Sequence, residues 1–176
     1  MSQVADADAL VLDLRQNGGG DPDTVALVAS YLFDDKPVHI HDLFRRDTGE
    51  TEQFWTHAKV AGKRFGAKKP IYVLTSNRTF SAGEALTYDL QSLHRAVIVG
   101  ETTGGGAHPT YPYPLGDGFA IAVPSGRVIN PVTKTDWEGT GVVPDVKVPA
   151  PDALTEAHHR ALTELKRRRE GVAAQK

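Results

Sequence analysis

The sequence predicts an α/β fold whose sheet is at least partly parallel. Short apolar, β-branched runs alternate with helical stripes through the first hundred residues. Two glycine-rich loops and a single serine, Ser81, fall just past the ends of those runs, where open α/β sheets gather their ligands.

Taken in order, Leu10 to Leu14 reads as a buried strand that stops at the turn Asn17-Gly18-Gly19-Gly20. A helix follows from Pro22 to Phe33, with Asp21 suited to its cap and Pro22 to its first turn. Val38 to Arg45 and Thr51 to Thr56 form a hairpin around Asp47-Thr48-Gly49-Glu50, and the basic stretch from Lys59 to Lys69 is irregular surface. Ile71 to Thr75 is a strand. Ala82 to Leu93 is a helix carrying Ala82, Ala85, Leu86, Leu90 and Leu93 on one stripe. Ala96 to Val99 is a further buried strand that opens into a flexible loop, Gly100 to Pro109. Phe119 to Val123 and Arg127 to Asn130 are expected to pair as a second hairpin around Pro124-Ser125-Gly126. Val142 to Val148 is a short edge segment broken by Pro144. The last helix spans Asp152 to Arg168 and buries Leu154, Ala157, Ala161 and Leu165. Residues 1–150 read as one core domain and residues 151–176 as a helix and tail.

Composition narrows the function. A chain of 176 residues can bury one proper core. Its net charge of −2 offers no global attraction for nucleic acid, and the basic run Lys166 to Arg169 reads as a solvated helix end. The absence of cysteine removes disulfides, thiolate catalysis and cysteine-bound zinc. No apolar run is long enough to span a membrane, the opening residues are acidic and small, unlike a signal peptide, and no compartment is indicated. The chain enters its first strand almost at once. Either the domain begins on a central strand, or an upstream segment belongs to it.

Chemistry gathers around Thr79-Phe80-Ser81-Ala82-Gly83-Glu84. Small residues flank Ser81, so its hydroxyl can stand clear at a helix N-terminus whose free amides suit a developing oxyanion. The pattern is T-x-S-x-G, one residue short of the G-x-S-x-G elbow, and a plain N-cap serine is the competing reading. Glu84 reads as a capping-box glutamate, Asp13 and Arg15 as an ion pair or loop anchor, and Glu101 as a possible partner for the serine loop. His39 and His41 alternate on a strand and share a face, without further metal ligands. His57 and His94 carry no pattern, and His158 and His159 sit on the solvated side of the last helix. Gly104-Gly105-Gly106 lacks the lysine and spacing of a phosphate loop, and Trp55 and Trp137 read as packing residues. No cofactor or metal motif is present.

Four ordered blocks carry a family resemblance: Leu12 to Gly20, Leu74 to Glu84, Val99 to Gly106, and Trp137 to Asp145. Together they resemble the tail-specific (C-terminal processing) serine peptidases, most of all the branch with tricorn cores and interphotoreceptor retinoid-binding modules. The resemblance implies a ClpP/crotonase-like spiral core with mixed sheet and flanking helices. It places Ser81 as nucleophile, the amides of Ala82 and of Gly18 or Gly19 as oxyanion hole, and Glu138 as the carboxylate that orients a histidine. Two departures stand out. Ser/Lys members keep a lysine base in the loop after the Val-Gly-Glu strand, and here that loop, Thr102 to His108, has none. Tricorn-type members take a histidine from a segment before the first strand, which has no counterpart here. The base is then supplied by an upstream segment, by a partner copy, or by His108.

Two functions follow. One is a serine-type peptidase core acting on polypeptides, incomplete or weakly active as this chain. The other is a non-catalytic module that binds apolar ligands, such as a retinoid or fatty acid, or peptides. A homo-oligomer or an added N-terminal region would complete either.

Overall fold

The computed structural model describes residue 1 and residues 3–173. Four parallel strands form the central sheet: β1 (Leu10–Asp13), β4 (Ile71–Thr75), β5 (Val97–Gly100) and β9 (Val146–Lys147), in the order β1-β4-β5-β9. A second sheet holds β2 (His39–Arg45) between β3 (Thr51–Trp55) and β8 (Gly126–Ile129), all antiparallel. The third is a two-stranded ribbon of β6 (Thr110–Gly116) and β7 (Phe119–Pro124).

β4 is buried along its whole length because both of its faces are covered. Ile71 and Val73 point into the larger core with α1 (Pro22–Leu32) and α2 (Ala82–Ser92), while Tyr72 and Leu74 point the other way, onto α3 (Ala153–Ala173). A short 3-10 turn, Ala150–Asp152, leads into α3. α1 begins as its sequence predicts: Asp21 accepts the Thr24 N–H at 2.9 Å, and Pro22 opens the first turn. Its other end is held by Arg95, whose buried guanidinium donates to the carbonyls of Leu32, Lys69 and Gly66. Burial lowers that group to about 10, against the pull of Asp34.

Four expectations are corrected. β1 is only half-buried, because it lies at the edge of the sheet with β4 as its sole strand neighbour among the described residues. The predicted pairing of Phe119–Val123 with Arg127–Asn130 does not form. β7 pairs instead with β6 across Asp117-Gly118, and β8 joins β2. β6 is obscured in the sequence by Pro112 and Pro114. These occupy alternate positions, so both missing N–H groups fall on one edge and the other edge remains free to pair. The last helix runs on to Ala173, and its buried stripe is Ala153, Ala157 and Ala161, whereas Leu154 is exposed. Alanine lets the helix approach the sheet closely over Tyr72, Leu74 and Val99.

One consequence of the ribbon is a large apolar surface. Tyr111 and Tyr113 lie opposite Val123 and Ile121 on one face, and all four are exposed. Arg45 reaches across from β2 to donate to the Tyr111 hydroxyl at 2.9 Å.

Candidate active site

β4 ends at Thr75, and residues 76–80 turn the chain toward α2. Three contacts strap that turn to the end of β1 and the glycine turn behind it. The Thr79 hydroxyl donates to the Leu14 carbonyl at 2.9 Å, the Ser76 hydroxyl to the Arg15 carbonyl at 2.6 Å, and the Phe80 N–H to the Asn17 carbonyl at 3.0 Å. Asp13 and Arg15 form the expected ion pair at 2.6 Å, and Arg15 also donates to the Ala150 carbonyl. The Arg15 guanidinium holds the Asp13 carboxyl below its usual range.

Ser81 caps α2 with φ 52° and ψ −120°. A positive φ is costly for a residue with a side chain, of order 1–3 kcal/mol, and it survives here because the flanking contacts over-determine the turn. The result is a sharp elbow between a buried strand and a helix, the geometry that presents a nucleophile.

Gly19 lies against this elbow. A Cβ at that position would sit 2.9 Å from the Ser81 Cβ and 3.3 Å from its Oγ, and Gly19 itself has φ +122°. Only glycine fits. The fold therefore brings Ser81, Ala82 and the Gly18-Gly19 turn together. The Ala82 and Gly18 amides make no hydrogen bond among the described residues, whereas the Gly19 N–H donates to the Asn17 side chain at 3.0 Å. That Asx-type contact takes the Gly19 donor and leaves the Gly18 and Gly20 N–H groups without a partner among the described residues.

Glu84 organises the opposite wall. It is fully buried with no cationic partner among the described residues, and it accepts four donors: the Ser81 N–H at 2.8 Å, the Gly105 N–H at 2.7 Å, the Gly106 N–H at 2.9 Å and the Thr103 hydroxyl. The capping role expected for Glu84 is present, and it extends to a second loop. Gly104 N–H adds a bond to the Thr79 carbonyl, and Gly139 N–H one to the Gly105 carbonyl. The Gly100–Pro109 segment is thus pinned rather than flexible. Gly104 and Gly106 pack against the Phe80 ring, which a Cβ at Gly106 would meet at 2.2 Å, whereas Gly105 lies against the backbone of residues 139–141. With two of its amides taken by Glu84, the run offers no phosphate cradle. Glu101 does not reach the serine loop; its carboxylate accepts the Ala150 N–H at 3.0 Å.

Glu138 and His108 lie together beyond that loop. The Glu138 carboxylate accepts the Ala107 and His108 amides at 2.7 and 2.9 Å. The His108 ring stands between two carboxylates, with Nδ1 3.9 Å from Glu138 and Nε2 3.5 Å from Asp136. Among the described residues, no histidine or lysine side chain is hydrogen-bonded to the Ser81 hydroxyl. Asp136 escaped the sequence reading because nothing in Lys134-Thr135-Asp136-Trp137 marks it.

His39 and His41 do not share a face. A bulge between them turns His41 inward to bond the buried Asp89 at 2.7 Å, while His39 pairs with Asp42 and stacks on Trp55. Burial raises the Asp89 carboxyl above its usual range, against the pull of His41 and Asn130. Trp137 is buried as expected and packs against Tyr88. An apolar cleft of about 160 Å³ opens beside Gly19 and Ala82, lined by Leu12, Val25, Val28 and Leu86.

This arrangement has relatives. Residues 1–148 match peptidase family S41. The chain belongs to that family. It is 32% identical over 143 residues to carboxyl-terminal-processing peptidase 2 of Arabidopsis thaliana chloroplasts, covering 80% of this chain and 26% of that protein. It is 32% identical over 145 residues to the carboxyl-terminal-processing protease of Synechocystis, covering 82% and 32%. A solved photosystem II D1 C-terminal processing protease superposes with a TM-score of 0.63 at 28% identity, over 81% of this chain and 35% of that one. The chain thus spans about a quarter to a third of the curated relatives' length. The S41 match covers the α/β core and the turns at Gly19, Ser81 and Gly105, and stops before α3.

Proposed function

We propose that this S41 chain forms the nucleophile and oxyanion portion of a serine peptidase acting on polypeptides by acyl-enzyme chemistry. The observation that carries the reading is the positive-φ elbow at Ser81, set against the glycine turn. Ser81 Oγ attacks the scissile carbonyl and passes its proton to a base. The Ala82 and Gly18 amides receive the oxyanion, the leaving amine takes the proton, and water then releases the acyl group. The relatives' names support processing at carboxyl ends as the setting.

The base comes from outside the described site. For His108 to serve, its ring must turn away from Asp136 and Glu138. Glu138 is assigned to hold residues 107–108 and, through them, whichever imidazole enters. As an isolated chain the protein then turns over peptides negligibly. The binding-module alternative has less support: the apolar cleft beside Gly19 and Ala82, about 160 Å³, is smaller than the roughly 300 Å³ at which small-molecule pockets begin.

Fluorophosphonate labelling read by intact mass tests the proposal. Slow labelling that is abolished by Ser81→Ala and accelerated by added imidazole is expected. Labelling indifferent to Ser81→Ala, or none even with imidazole, overturns it.

A further inference from the structure

The β6–β7 ribbon is rooted at its base, where the Ser125 N–H donates to the Pro109 carbonyl at 3.0 Å and the Arg46 N–H to the Ser125 carbonyl at 2.9 Å. From Thr110 to Pro124 every residue is exposed, on both faces. A two-stranded hairpin is marginal in water and becomes stable when its apolar face is packed against something. This ribbon has such a face and, among the described residues, nothing on it.

The composition of the face says what kind of partner fits. Residues 109–124 carry one charge, Asp117, and it sits in the turn between the strands. Tyr111, Tyr113, Phe119, Ile121 and Val123 point to the same side, each between 38% and 72% exposed. The Tyr111 hydroxyl is already engaged by Arg45, so covering it strands no donor there. A charged partner would meet nothing to pair with. Interfaces between unlike chains are about as apolar as ordinary surface, whereas those between identical chains are more apolar and poor in charge.

Area and edge chemistry decide how the copies meet. The five side chains expose roughly 500 Å² per copy, so mutual cover removes about 1,000 Å², the size at which a specific interface begins. The edges offer less. Pro112 and Pro114 close the outer side of β6, and within β7 only Ala120 and Ala122, which lie opposite those prolines, turn N–H groups outward. We propose that the chain pairs with a second copy of itself through this face, the two ribbons packing face to face about a two-fold axis near Tyr113 and Ile121. The surface is independent of the chemistry assigned to Ser81.

Sedimentation equilibrium of the chain between about 1 and 100 μM tests the assignment, a range suited to an interface this small. A reversible equilibrium is expected between the 19.0 kDa chain and a species of twice that mass. Ile121→Lys, which brings an ammonium group into the covered face of each copy, should weaken association at least about a hundredfold, and Tyr113→Ala about tenfold. Ala122→Pro removes a donor from the outer edge of β7 and should leave association within about twofold of the parent. Leu154→Lys, a similarly exposed apolar residue on α3, should do the same. A chain that stays monomeric throughout overturns the proposal and leaves the face to a different partner. Loss of association in Ala122→Pro would show edge pairing instead, and loss in Leu154→Lys non-specific contact; either overturns it. So do species that grow beyond two copies. Circular dichroism of Ile121→Lys guards against a folding defect, and Tyr113→Ala provides a second, uncharged probe of the same face.

Discussion

The Glu84 carboxylate accepts the Ser81 N–H at 2.8 Å and, with its remaining capacity, the amides of Gly105 and Gly106. One buried side chain therefore fixes the elbow and the loop facing it. Replacing Glu84 with alanine leaves four donors in a closed space and should cost about 3–5 kcal/mol in urea unfolding. Glu84→Gln retains one acceptor oxygen and should cost about 1–2 kcal/mol. Equal stability of Glu84→Ala and the parent would contradict this account.

The glycines differ in what blocks a side chain. A Cβ at Gly100 would meet the Thr75 carbonyl oxygen at 2.2 Å, at φ +137°, and neither backbone can yield. Gly100→Ala should cost more than about 3 kcal/mol. At Gly106 the obstacle is the partly exposed Phe80 ring, which can swing aside, so Gly106→Ala should cost about 1 kcal/mol. Gly19→Ala should leave the fold standing yet slow probe labelling at Ser81, since the added methyl presses on the serine itself. Thermal unfolding ranks the three, and mass-detected labelling separates the last.

The pair formed by His41 and Asp89 predicts a pH effect. Asp89 titrates above its ordinary value because it is buried, so the folded chain holds that proton more firmly than the unfolded chain. Its stabilising contribution is complete below about pH 4 and declines as pH rises through the raised folded value. Asp89→Asn cannot ionise. The stability of the parent relative to this variant should therefore fall as pH increases from the acid side. Urea midpoints that keep a constant difference across that range would refute the assignment.

α3 offers a packing contrast. Ala157 is fully buried over the sheet, and Ala157→Leu should cost about 1–3 kcal/mol through overpacking. Leu154 is exposed, so Leu154→Lys should stay within about 0.5 kcal/mol. The reverse ranking in a denaturant series would show that the helix docks through its leucines.

What could be read from the sequence follows where local signals agree. β4, α1 and α2 are marked by apolar period, caps and Pro22, and they stand within a residue or so of expectation. The link between Ser81 and Glu84 was legible because a capping box is a local pattern. Contacts fixed only by tertiary structure were not. Glu84 reaching Gly105 and the bulge that parts His39 from His41 have no short-range signature. β6 failed for a different reason: its prolines argue against a strand unless both can face outward. On α3, leucine outranked alanine in the apolar reading, although close approach to the sheet favours the smaller residue.

The alternation of Pro112 and Pro114 along β6 has a consequence for solubility. Sticky tyrosine and isoleucine side chains on an uncovered ribbon would ordinarily invite copies of the chain to stack into growing fibrils. A rim carrying two pyrrolidine rings where amide hydrogens should be cannot template another strand, so on that side propagation stops at the first molecule.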